Sequence, residues 1–417
     1  MSNPTSPDAT NDALPDTSTR LTMRFSNLGH AFTHLFTIIY ATAVLYLPGV
    51  FGMPYGELLG LSSIGLILYG VAALPAGWLG DRWSQTGMMV VFFIGVGMGS
   101  ITTGFAQTPT HLLLGLSAIG LFASIYHPVG IAWLIAGARK QGMTLGINGV
   151  FGSAGTAIGP VFVGVMIDWV SWRAAFIVPG AISILLGLVL AWTWKRGLIA
   201  DAKADRAPQA PPERGAIIRV FFILSMTMTC SGFVYTGLTN TIPKVFELGL
   251  GSLSDGGYTQ IGFFVSSVLG AAAFSSVLGG WLADRYSARA IYVAFWSLSA
   301  VSVFFMVQST GVALLGVTLI AMVAITTFGA AENMLVARYT PFKWRSLAYG
   351  AKFVLALGVG GLTVHLAGAL YDHTGSFELL YALFSLTGVL AVISAMMLPK
   401  AGAQSAPAAP EPAQAQA

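Results

Sequence analysis

The stretch Gly77-Trp78-Leu79-Gly80-Asp81-Arg82 returns later in the chain as Gly280-Trp281-Leu282-Ala283-Asp284-Arg285. Each copy closes a long apolar run and ends in charge. A second pair, Gly-Val-Met-Ile-Asp at 164–168 and Gly-Ala-Leu-Tyr-Asp at 368–372, repeats at almost the same offset, 204 residues against 203. Two matches at nearly one spacing mean that the second half of the chain restates the first.

The sequence around these repeats is built for lipid. Of 417 residues 55% are hydrophobic and only 9% charged, with a mean hydropathy of +0.75. A water-soluble domain is about a quarter charged. Fifty glycines and 26 phenylalanines suit helices that approach closely without water between them. Apolar stretches of helical length fall at about 27–48, 57–79, 87–105, 111–136, 145–167, 174–194, 217–243, 257–282, 290–308, 311–336, 346–370 and 377–398. Each can cross a hydrocarbon layer of ~30 Å as a helix, the form that satisfies its own backbone there.

The reading is therefore an all-α polytopic membrane protein. It has twelve transmembrane helices in two six-helix bundles related by a pseudo-twofold axis, a plan known for transporters. The expected parts are a disordered N-terminus at 1–24, a first bundle at 25–196 and a charged, Pro-containing linker at 197–215. A second bundle at 216–398 and a disordered tail at 399–417 complete the chain. Residues 1–22 lack the basic start and apolar core of a secretory signal. Of the 20 Lys and Arg residues, all but Arg173, Lys244 and Lys352 fall at the termini or in even-numbered loops. That asymmetry places both termini in the cytoplasm and the protein in the cytoplasmic, or inner, membrane. The single Cys230 excludes an intrachain disulfide and is read as packing.

GWLGDR and GWLADR resemble the G-x-L-a-D-R signature that the major facilitator superfamily carries between helices 2 and 3 and between helices 8 and 9. The resemblance covers residues 25–398. It implies that Gly77, Asp81 and Arg82, with Gly280, Asp284 and Arg285, latch one conformation rather than bind solute. The first copy continues Trp83-Ser84-Gln85-Thr86 and the second Tyr286-Ser287-Ala288-Arg289, so the family's basic ending is absent from the first. Gly146, Gly155, Gly159-Pro160 and Gly164 resemble the family's antiporter motif, with Val163 at one of its glycine places. Small residues there open a face for close packing, and Pro160 bends the helix. Ser124 to Pro128 and Gly142 to Pro160 are also similar to the fosmidomycin-resistance type of proton-linked exporter, although Val129 stands where that branch commonly has an acid.

Titratable groups inside the spans mark the candidate site, because an ionised group in hydrocarbon is costly without a partner or cavity. They are His30, His34, His127, Glu332, Lys352 and His365. Glu332 in span 10 and Lys352 in span 11 lie at comparable depth; they pair with each other, line the cavity, or snorkel to the interface. The repeat offset sets Glu332 against Pro128, beside Tyr126 and His127, and Lys352 against Asn148. Polar groups at matched places suggest a divided central site. Imidazole titrates near neutral pH, which suits His127 to reversible protonation. His30 and His34, four apart, share one helix face; they either line the inner mouth or pack. With no third ligand nearby in sequence, no metal site and no cofactor are expected. Tyr40 is a further solute-binding candidate and His365 a local interhelical bond.

These features point to a transporter rather than an enzyme. No GxxxxGK[ST] loop or soluble nucleotide domain supports an ATP-driven pump, and nothing resembles a nucleic-acid surface. The expected function is secondary active transport of a small molecule by alternating access, as a proton-coupled antiporter or exporter. Glu332 is the switchable carboxylate, helped by His127 and Lys352. Two alternatives stand beside it: uptake or exchange of a small organic anion, and a non-transporting receptor or assembly protein on the same scaffold. The partners are the bilayer, the solute and protons, and a monomer is the default because one chain can hold the whole pathway.

Overall fold

The computed structural model describes residues 17–138, 141–200, 214–283, 285–339 and 354–398. Among them every regular element is helical. The first six helices are α1 (Thr17–Ala43), α2 (Tyr55–Val71, continued past a 40° bend by Ala73–Arg82), α3 (Gln85–Gly104), α4 (Pro109–Ala136), α5 (Gln141–Trp169) and α6 (Ala174–Lys195). The last six are α7 (Arg214–Gly249), α8 (Gly257–Ala283), α9 (Ala288–Met306), α10 (Gly311–Tyr339), α11 (Val354–Thr374) and α12 (Glu378–Met396).

Ten of these are long and apolar enough to cross a membrane alone, and the bent α2 makes an eleventh. The twelfth is α1, whose 27 residues rise ~40 Å. Arg20, Arg24, Asn27, His30 and His34 lower its hydropathy. The twelve-helix expectation therefore holds, with the first helix the most polar because it carries much of the candidate site.

The repeat is visible at the helix junctions. After each GWLxDR copy a serine starts the next helix: the Ser84 side chain accepts from Gly87 N, and the Ser287 side chain accepts from Ala290 N. Each caps donors that have no intrahelical partner. Arg82 lies over the Trp78 ring at 4.5 Å and Arg285 over the Trp281 ring at 4.1 Å, so each motif folds its own cation onto its own indole. Pro128 has no N–H to donate, and α4 opens into a π-turn over Tyr126–Gly130 around it.

Two boundaries differ from expectation. α1 starts at Thr17, so 17–24 are helical rather than disordered. Thr22 and Phe25 are buried there and Leu21 packs on the core, giving this turn an apolar face to bury. The stretch 197–200 of the expected linker is packed too. Ile199 is buried, Gly197 turns the chain at φ +70°, and Ala200 N donates to Ser18 Oγ at 3.1 Å. Residues 1–16, 201–213 and 399–417 lie outside the described residues.

Tyr126, Trp133, Phe92 and Phe93 fill the interior among the first six helices, and Tyr292, Trp296, Phe328 and Phe384 fill it among the last six. Large apolar side chains such as Trp169, Phe274 and Leu185 stand exposed on the outside, as a lipid-facing surface requires. The first and last six helices meet chiefly where α5 crosses α8 and where α2 crosses α11.

Candidate functional site

At one end of the molecule both crossings use the second repeated motif. On α5, Gly164 lets α8 in: a Cβ there would lie 2.2 Å from Tyr258 O. One turn on, Asp168 accepts from Tyr258 N at 3.3 Å and Thr259 N at 2.7 Å. On α11, Gly368 does the same for α2, its Cβ position 2.2 Å from Gly56 O. Asp372 then accepts from Gly56 N and Glu57 N, both at 2.8 Å. The glycine admits the partner backbone, and the carboxylate caps the partner's N-terminus, where free N–H groups and the positive helix end favour an anion. Aromatic rings surround the α2–α11 crossing: Tyr55 and Tyr371 meet edge-on at 5.2 Å between centroids. Lys244, one residue past the expected end of the seventh span, lies in α7. It pairs with Glu247 and sits 5.2 Å and 5.8 Å from the Tyr55 and Tyr371 ring centres. Asp168 and Asp372 are functional candidates that the charge inventory missed. Their signal was present in the sequence, since both end the repeated G-x-x-x-D.

A polar centre joins α1, α4 and α5. Asn148 is buried; its amide donates to Asn27 Oδ1 at 3.0 Å and to the Tyr126 hydroxyl at 2.9 Å. The Tyr126 hydroxyl donates to Ser26 O at 2.9 Å, and Ser26 Oγ donates to Gly130 O at 3.0 Å. His30 stacks on Tyr126 at 4.9 Å and bonds through Nδ1 to Asn148 O at 2.8 Å. The rings of His30, His34 and His127 are 5.0 to 5.5 Å apart. Thus five of the expected site residues or their neighbours, from three helices, come together.

The last six helices hold a different centre. Glu332 on α10 is buried, and Tyr292 Oη on α9 donates to its Oε2 at 2.8 Å. Trp296 and Phe328 stack beside it at 4.3 Å. Tyr292 was not anticipated, because a tyrosine inside an apolar run gives no pattern that separates it from packing. Lys352 and Asp284 lie outside the described residues.

The remaining expected residues take these places. The Tyr40 hydroxyl is committed to Leu58 O at 2.7 Å, while its ring borders a narrow crevice with Thr37, Ser62, Tyr69 and Asn240. A Cβ at Gly77 would lie 3.1 Å from the Pro128 side chain, whereas among the described residues nothing lies within 4 Å of a Cβ at Gly280. Asp81 and Arg82 are exposed, and among the described residues no hydrogen bond or ion pair holds Asp81. Gly155 and Gly159 pack against Ala31 and Ile38 of α1, so the glycine face of α5 serves α1. The other face meets α8, where Val161 N, just after Pro160, donates to Ser266 Oγ at 2.9 Å. His365 packs beside Gly60.

Comparison with known proteins gives one family. The model for the Major Facilitator Superfamily matches residues 27–273 and 252–416. The tetracenomycin C resistance and export protein of Streptomyces glaucescens is 28% identical over half of this chain; the match spans 35% of that protein. A protein of Cupriavidus pinatubonensis described as a probable 4-methylmuconolactone transporter is 24% identical over 84% of this chain and 83% of its own length. Among solved structures, a bacterial homologue of the human lysosomal transporter Spinster, inward-facing and occupied, has a similar fold. Its TM-score is 0.70 with 14% identity over 91% of this chain and 95% of that one.

Proposed function

This chain belongs to the Major Facilitator Superfamily of membrane transporters, and from that premise we propose that it carries a small organic solute by proton-coupled alternating access. The observation that carries alternating access is the doubled Gly-Asp crossing. It ties the first six helices to the last six twice at one end of the molecule, through contacts that a rocking motion would make and break together. The Lys and Arg distribution supports cytoplasmic termini. On that orientation the crossings close the outer side and the described state faces inward. The exposed Asp81, held by no partner among the described residues, agrees with an inner latch that is undone.

Glu332 is the coupling carboxylate in this reading. A buried acid hydrogen-bonded to a neutral phenol can exchange a proton when the pathway opens to water, and Tyr292 holds it in one orientation while it does so. A relative that spans most of this chain is named for 4-methylmuconolactone and the shorter match for tetracenomycin C resistance and export; both names support a small organic solute. Export in exchange for protons is the direction we propose.

Proteoliposomes of purified protein test this. A solute gradient is expected to drive proton counterflow in the wild type and none in Glu332→Gln, with the variant still binding solute. Solute movement without proton movement, equal in both proteins, would overturn proton coupling and leave exchange of an organic anion. Solute binding with no movement in any direction would leave a receptor.

A further inference from the structure

We infer that His30, His34 and His127 form a mononuclear binding site for a divalent transition-metal ion of the zinc class. One ring nitrogen from each of the three histidines lies within 4.8 Å of one from each of the others. Three imidazoles around a tetrahedral ion at 2.0–2.1 Å need separations of ~3.4 Å, so side-chain rotation of about an ångström completes the set. The backbone already places two ligands on one face of α1 at i and i+4. The π-turn of α4 turns the third toward them.

The surroundings of His30 are those of an oriented ligand. Its Nδ1 faces the Asn148 carbonyl at 2.8 Å, and a carbonyl can only accept. The proton therefore sits on Nδ1, and Nε2 keeps its lone pair for a cation. Tyr126 stacks on the ring. On the other side Gly152 makes room, since a Cβ there would fall 2.6 Å from Nε2. All three histidines are only partly buried, and an ion held by three imidazoles would take a water as its fourth ligand. A donor set of neutral imidazoles selects zinc, copper, nickel or cobalt and rejects magnesium and calcium, which require oxygen ligands. None of this depends on the solute carried or on proton coupling.

The test uses untagged full-length protein in detergent, with Zn²⁺ for binding and Co²⁺ for spectroscopy. One Zn²⁺ per chain is expected, with a rise in the thermal midpoint. Co²⁺ is expected to give the intense visible bands of a low-coordinate site that Zn²⁺ then displaces. The acceptor that orients His30 is the main-chain carbonyl of Asn148, so the variants remove ligands instead: His34→Gln and His127→Asn are each expected to cost more than the roughly 10–100-fold in affinity that loss of an outer hydrogen-bond partner costs. His111→Asn and His373→Asn, remote from the cluster, should bind as the wild type does. Thermal unfolding without metal shows whether each variant is folded. Binding that survives in a folded His30/His34/His127 triple asparagine variant, or no saturable binding by the wild type, would overturn the site.

Discussion

Gly164 and Asp168 on α5 make the same two contacts with α8 that Gly368 and Asp372 on α11 make with α2. The polar centres around Asn148 and around Glu332 share neither residues nor geometry. The first is a chain of neutral hydrogen bonds beside three imidazoles; the second is built on a buried carboxylate that accepts from a phenol. Both regions descend from a repeat, and only one has kept its symmetry. The difference follows from what each meets. A closing gate presses one half of the chain against the other at two equivalent places, so equivalent contacts serve both. A small solute or a proton has no twofold axis, and a site for it gains nothing from matched sides.

The strongest way to break this comparison is to block one crossing. Gly56→Val and Gly164→Val each drive a side chain into opposing backbone, where even a Cβ would lie 2.0 Å and 2.2 Å from a carbonyl oxygen. Transport is expected to fall to background in both. Spin labels at Pro54 and His373, and at Trp169 and Asp255, should move apart in either variant if the two crossings open as one. A single crossing that opens alone would show that the symmetry is not mechanical.

Next come the polar centres. Asn148→Ala leaves the Tyr126 hydroxyl and Asn27 short of partners in the interior, at a cost of about 1–3 kcal/mol. Tyr292→Phe removes one bond to Glu332 and is expected to cost about 1 kcal/mol, with its main effect on proton flux. Thermal unfolding in detergent separates the two, and equal losses would mean that the centres are energetically alike. Asp168→Asn and Asp372→Asn keep the shape and lose the charge. Each is expected to shift the closed state by roughly fivefold or less, as other helix caps do, and by the same amount, read from the same spin-label distances. The smallest effect lies in the first motif. Gly280→Ala meets nothing within 4 Å among the described residues and should gain up to about 1 kcal/mol from helix propensity. Gly77→Ala meets Pro128 at 3.1 Å and should gain less or lose. Equal melting shifts would remove this asymmetry.

Much of the molecule was legible before folding because the bilayer enforces it. Apolar runs of about twenty residues have to be helices, and the repeats at 77–82 and 164–168 announce the duplication. Glu332, Asn148 and the histidines stood out because polar groups are rare in such runs. Boundaries were less legible: Thr17–Arg24 and 197–200 are polar enough to read as loose chain, yet Phe25 and Ile199 bury against neighbours that no local pattern reveals.

By itself the sequence determined the class of fold, the number of spans and the positions of the repeated motifs, since these depend on hydropathy and spacing along one chain. Tertiary structure alone decided which groups meet. His127 joins His30 and His34 from about ninety residues away, Asp372 reaches the start of α2 across the whole chain, and Tyr292 becomes the partner of Glu332. Such meetings depend on how helices cross, and helix crossing is set by close packing in three dimensions, which a pattern along one dimension does not contain.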